Sequence, residues 1–221
     1  MYWEDEAFIV SKKKFRENAI IIDAFTKKFG KVSGIVYGGN SRKIKNYLQL
    51  INKIFVVYKS KNENQIGYFT TELIQAVSPK YFNNRGKTLC VNSLSSILKI
   101  LLPENQSYEK IYYSLNDFLN KLETNNWLLH YLNWEIDLIK YLGYGFKIDK
   151  KKVLDSNKKI FKIDIDNVSY RIPSFLINKN YNDLNSTDIT SGLSFSRNLL
   201  NNKFFNPNNI RLPYSRILLE N

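Results

Sequence analysis

Lys12, Lys13, Lys14 and Arg16 fall in one short run, Lys27, Lys28 and Lys31 flank the glycine at position 30, and Arg42, Lys43 and Lys45 follow the pair Gly38-Gly39. Tyr37 and Tyr47 stand on either side of that last cluster. Ammonium and guanidinium groups beside aromatic rings suit one kind of chemistry: cations neutralise backbone phosphates and release counterions, while rings stack on bases for about 1–3 kcal/mol each. Tyr37, Tyr58 and Tyr68 are the stacking candidates. Each lysine taken alone also reads as turn decoration, and each tyrosine as barrel core. The set of basic segments reads better as a binding surface.

Groups for bond-breaking chemistry are scarce. The chain of 221 residues has one cysteine, Cys90, and one histidine, His130. One cysteine excludes an intrachain disulfide and a multi-cysteine zinc site. Cys90 and His130 both lie in apolar helical patterns and read as packed residues. Asp164 with Asp166, and the run Glu4-Asp5-Glu6, read as solvated carboxylates. Gly30, Gly34, Gly38 and Gly39 lack the strand-to-helix setting of a dinucleotide fingerprint, and no Walker lysine motif occurs. No enzyme, cofactor or metal is expected.

The net charge is +13, and residues 1–79 carry +6 of it in about a third of the length. Such an excess favours a polyanionic partner. At 43% hydrophobic and 14% aromatic residues the chain can bury a core. There is no apolar stretch of about 18 residues and no basic segment followed by an apolar core at the start, so a cytoplasmic, nucleoid-associated location is expected and no membrane span.

The elements that must hold these residues change character near Pro79. Before it, short β-branched and aromatic runs predict strands at Ala7–Val10, Ala19–Phe25, Val32–Tyr37, Ile54–Tyr58 and Ile66–Ile74, with turns at Gly30 and Asn62–Asn64 and a helical turn at Tyr47–Leu50 plugging one end. That pattern predicts a five-stranded antiparallel barrel over residues 1–78, with the basic segments on its loops and converging on one side. After Pro79 the period becomes helical. Leu89–Leu102, Tyr108–Leu122 and Leu128–Leu142 carry amphipathic stripes that imply a bundle, and Gly143 ends the third. Residues 147–180 form a lysine-rich insertion, with Lys147, Lys150, Lys151 and Lys152 ahead of a hairpin around Asp166-Asn167. Two more helices follow from Asn185, with Ser186 or Asp188 as cap. The fold class is α+β: a barrel, then a helical domain over residues 79–221.

Several segments together are similar to the bacterial DNA repair protein RecO family. They are Ala7-Phe-Ile-Val-Ser, Phe15-Arg-Glu-Asn, Phe25-Thr-Lys-Lys-Phe-Gly-Lys-Val, Tyr37-Gly-Gly-Asn-Ser-Arg42, Leu48-Gln49, Trp134-Glu135 running to Leu-Gly-Tyr-Gly-Phe146, and Arg211-Leu-Pro-Tyr-Ser-Arg216. The resemblance implies an OB-fold barrel and a helical domain without an enzymatic site. It implies binding of single- and double-stranded DNA, annealing of complementary strands, and cooperation with RecR in loading RecA onto DNA coated by single-stranded-DNA-binding protein. The family pattern also marks departures. Tyr37 and Gly39 stand where many members carry cations. Asn133 stands where members often carry an arginine that meets the acidic tail of the single-stranded-DNA-binding protein. Lys150–Lys152 occupy the stretch where some members place four zinc-binding cysteines. A docking module whose basic face takes an acidic peptide tail remains the alternative; steep salt dependence of DNA binding separates the two.

Overall fold

The computed structural model of the protein describes residues 1–62, 65–146 and 159–220. It divides into two compact units, Met1–Asn116 with Pro213–Leu219, and Asp117–Leu212 with Glu220.

In the first unit β1 (Tyr2–Arg16), β2 (Ala19–Thr26), β3 (Gly30–Tyr37), β4 (Lys53–Lys59) and β5 (Gly67–Gln75) close into a barrel of order β1-β2-β3-β5-β4. The expected five strands are present, but not all neighbours are antiparallel: β3 and β5 run parallel through Gly34↔Gly67 and Ile35↔Tyr68. Parity requires this. Each antiparallel neighbour reverses direction, so an odd number of strands cannot close without one parallel pair. β1 is far longer than its apolar run suggested. Its first half pairs with β4 and its second with β2, with register irregularities between Ile9 and Ser11 and between Lys14 and Arg16 that let one strand turn the corner.

Alternate residues face inward, and Ala7, Ile9, Ile22, Ala24, Ile54 and Val56 are fully buried there. Gly34 leaves room for the Phe69 ring, since a Cβ at that position would lie 2.4 Å from it. Gly30 holds φ 74° at the β2–β3 turn, where a Cβ would meet the Gln106 carbonyl oxygen at 1.9 Å. The expected plug is present in altered form: α1 spans Arg42–Tyr47, and Ile44, Tyr47 and Leu48 close the barrel end.

α2 (Arg85–Leu101) starts at Asn84, whose side chain accepts the Lys87 N–H. It lies along the outside of β1, where the Ser95 hydroxyl donates to the Val10 carbonyl at 2.7 Å. α3 (Glu109–Lys121) places Tyr112 against Phe8 and Phe25 on the barrel wall. The short α7 (Tyr214–Ile217) packs on α2.

In the second unit α4 (Trp127–Ile139) packs on α6 (Ser186–Leu200), so α4 takes its partner from the C-terminal part of the chain. Glu135 is buried and accepts hydrogen bonds from the Tyr131 and Ser196 hydroxyls, both at 2.7 Å. Gly143 ends the helical run at φ 97°. β6 (Ile160–Ile165) and β7 (Val168–Pro173) form the expected hairpin, and Asp166 and Asn167 both take positive φ, as a two-residue turn requires. The short α5 (Ser174–Asn178) was not expected. The cap of α6 is Asn185, with Asp188 reciprocating, one residue before the nearest expected cap. The cluster Lys147, Lys150, Lys151 and Lys152 lies outside the described residues.

Candidate nucleic-acid interface

Two of the three basic segments sit differently from their expected loops, and the third does so only at Lys31. Lys12, Lys13, Lys14 and Arg16 are part of β1 itself, paired with Ile22, Ile21, Ile20 and Ala19. The apolar pattern had ended at Val10, yet the backbone ladder continues because β2 offers partners for it. Arg42, Lys43 and Lys45 are on α1 rather than a loose loop. Ser41 caps that helix by accepting the Ile44 N–H, and Gly38 at φ 70° turns the chain into it. Lys27 and Lys28 do occupy the β2–β3 turn, while Lys31 is already inside β3.

The segments therefore do not all converge. Ala19 and Tyr37 pair at one end of the β2–β3 ribbon and Thr26 and Gly30 at the other. Seven residue steps along β2 separate these ends by about 23 Å. At the first end, Lys12, Lys13, Lys14 and Lys45 line a cavity of about 210 Å³ with Ile20, Gly39, Asn40 and Leu48. Lys12 is anchored there: its Nζ donates to the Leu48 carbonyl at 2.9 Å and to Gln49 Oε1 at 2.8 Å. Burial, then the nearby Lys45 charge, pushes its pKa below the ordinary lysine value. The Asn40 side chain donates to the Arg16 and Glu17 carbonyls and ties the β3–α1 connection to the β1–β2 turn. Lys14, Arg42, Lys43 and Lys45 are exposed. Arg16 lies over the Phe15 ring at 5.0 Å.

At the other end the cations have company. Lys27 stands over the Tyr113 ring at 5.1 Å, and that phenol, with Glu6 and Asp5 adding to it, holds the Lys27 pKa above its ordinary value. The Lys28 backbone N–H donates to Asp5 Oδ2 at 2.7 Å. Lys31 is only 8% exposed, and its Nζ donates to the Lys99 carbonyl at 2.6 Å. Burial lowers its pKa, against the pull of Glu104 and Asp23. Lysines balanced by carboxylates attract an outside anion weakly; the α1 end lacks that balance, with Glu17 as the acid of its own segment.

The aromatic candidates also separate. Tyr37 and Tyr68 are exposed and pack against each other at 5.5 Å. Tyr58 is buried inside the barrel, stacked on Trp3 at 4.8 Å, and its hydroxyl accepts the Gly67 N–H. Tyr47 donates to the Thr71 carbonyl at 2.7 Å and serves the plug. Cys90 is buried, and His130 has a pKa lowered by burial and by Lys121. Asn133 Oδ1 accepts from the Tyr181 hydroxyl. Sequence reasoning missed Asn40; its place before Ser41-Arg42 was a visible signal for a loop-fixing side chain.

Among the described residues no group of three His, Cys, Asp or Glu could hold a metal ion, and no helix is long and apolar enough to cross a membrane.

Comparison with known proteins covers both units. Residues 1–77 match the family described as Recombination protein O N terminal, and residues 83–213 match Recombination protein O C terminal. DNA repair protein RecO of Wolbachia pipientis subsp. Culex pipiens is 34% identical over 154 residues, which is 69% of this chain and 62% of that relative. The RecO of Rickettsia canadensis is 32% identical over 81% of this chain and 73% of its own length. That of Caulobacter vibrioides is 26% identical over 99% of this chain and 96% of its own. The matched region thus spans about three fifths of the first of these relatives.

Proposed function

The chain belongs to the RecO family of DNA repair proteins, and from that membership we propose that it is a recombination mediator that holds DNA strands without covalent chemistry. It binds single- and double-stranded DNA and anneals complementary strands. With RecR, it helps load RecA onto DNA coated by single-stranded-DNA-binding protein, in the cytoplasm at the nucleoid. The barrel of residues 1–78 is the DNA-holding part, and residues 79–221 form the helical domain. Annealing is slow chiefly because two polyanions repel; a surface that neutralises phosphates on both lowers that barrier.

The observation that supports this reading best is the unbalanced cationic end around α1, with Lys14, Arg42, Lys43 and Lys45 exposed beside an anchored Lys12. Lys13 and Arg16 extend it along β1. Lys27 and Lys28 are a second, weaker point of contact, and Lys31 supports the fold. With Asn133 engaged by Tyr181, an acidic tail of the single-stranded-DNA-binding protein would meet other cations.

The test is anisotropy of a labelled thymidine oligonucleotide across salt. If Lys14, Arg42, Lys43 and Lys45 each neutralise a phosphate, log K falls against log salt with a slope of about −2.8, or roughly 50-fold between about 50 and 200 mM. Replacing Arg42 and Lys43 by alanine reduces the slope to about −1.4, roughly 7-fold over the same range, and slows annealing. An unchanged slope and annealing rate would remove these residues from the interface. Binding confined to an acidic peptide would favour a docking module instead.

A further inference from the structure

Register around the barrel brings together residues that are far apart in the chain. Tyr2 pairs with Lys59, Lys59 with Tyr68, Tyr68 with Ile35, Ile35 with Ile21, and Ile21 with Lys13. Directly paired residues share a face of a sheet. Tyr2 and Tyr68 are exposed, whereas Trp3 and Phe69 beside them point into the core, so the row lies on the outer face of the barrel, with Ile35 covered there and Ile21 half-buried. It crosses β1, β4, β5, β3 and β2 and returns to β1, roughly at right angles to the strands.

The first three members of the row run ring, cation, ring, and Ile35 and Ile21 separate them from Lys13. Tyr2 is 61% exposed and Tyr68 40%, and Tyr37, 55% exposed, leans on Tyr68 at 5.5 Å. Lys59 lies between the tyrosines, its Nζ 5.6 Å from the centre of the Tyr2 ring. Tyr2 and Tyr68 are two strand spacings apart, about 10 Å, with the lysine midway. Glu4 accepts from the Tyr2 hydroxyl at 3.3 Å. Past Tyr68 and Tyr37 the row reaches Lys13, on the wall of the cationic cavity beside α1.

Resting on the DNA-binding reading above, we propose that this row is the track of a single strand. Tyr2 and the Tyr68–Tyr37 pair stack unpaired bases, Lys59 meets the phosphate between them, and Lys13 delivers the strand to the α1 end. Exposed rings alone would suit many apolar partners. A cation set between two exposed rings fits a ligand that is itself alternately flat and anionic. Duplex DNA, with its bases already stacked and paired, gains nothing from the rings.

The test uses the full chain with Tyr2→Ala and Tyr68→Ala, singly and together, beside Tyr2→Phe and Tyr68→Phe. Each alanine is expected to weaken binding of a single-stranded oligonucleotide by about 5- to 150-fold. The salt slope and duplex affinity should stay unchanged, and phenylalanine should restore binding. Photo-crosslinking of an oligonucleotide carrying 5-iodouracil should label Tyr2, Tyr37 or Tyr68. If the wild type binds single strands but the alanine variants bind equally well, or if single-strand and duplex affinity fall together, the track is wrong while the DNA-binding reading stands. If the wild type binds no single strand, both are wrong.

Discussion

Lys31 separates a structural lysine from a DNA-binding one, and Lys31→Met tests the separation. The Lys31 ammonium donates to the Lys99 carbonyl in the last turn of α2. Four residues on, where a helix would supply the N–H for that carbonyl, stands Pro103, which has none. Lys31 fills the vacancy, and its positive charge suits the negative end of the helix. Methionine keeps the aliphatic stem and removes the donor. A hydrogen bond from a charged group contributes about 1.5–3 kcal/mol. The desolvation that lowers the Lys31 pKa offsets part of this, leaving an expected loss of about 2 kcal/mol. For a chain of this length that is a fall in Tm of about 4–8 °C, read by circular dichroism. The DNA salt slope should stay at the wild-type value. A melting point that does not move, with a slope smaller by about 0.7, would refute the structural role and restore Lys31 to the phosphate contacts.

Tyr58→Phe leaves the buried Gly67 N–H without its acceptor; it should cost about 1–3 kcal/mol in a denaturant titration and leave single-strand affinity alone, because the ring is inside the barrel. The one histidine gives an unambiguous imidazole signal, and its midpoint should lie below the ordinary 6.5. Its depressed folded value means the unfolded chain takes up the proton first, so stability falls as pH drops from 6.5 toward the folded pKa. Denaturant midpoints above and below that window should show the loss in wild type and a flatter profile in His130→Gln.

Much of this protein could be read locally. β2, β3, β4 and β5 begin and end within two residues of their apolar runs, since alternation is a property of neighbours in sequence. The same holds for α3 and for the turn at Asp166-Asn167, while α2 begins four residues before its apolar stripe, at the Asn84 cap, and α4 ends three residues before its own. β1 escaped because the second half of the strand carries exposed cations: its backbone is held by the β2 ladder, not by burial of its own side chains. α1 escaped because a short helix in basic residues depends on the Ser41 cap and on the barrel beneath Ile44 and Tyr47.

The sequence by itself determined four of the five barrel strands and the longer helices, the excess of cations and rings, and membership in a family of DNA repair proteins. These follow from composition and short-range spacing. Tertiary structure alone decided which cations remain available. It buried Lys31 under α2, set Lys27 beside Tyr113 and two acids, and left the α1 end unbalanced. It also turned Tyr58 inward and aligned Tyr2, Lys59 and Tyr68 in one outward row. Closing the barrel fixes the register between strands distant in the chain, and register determines which side chains share a face.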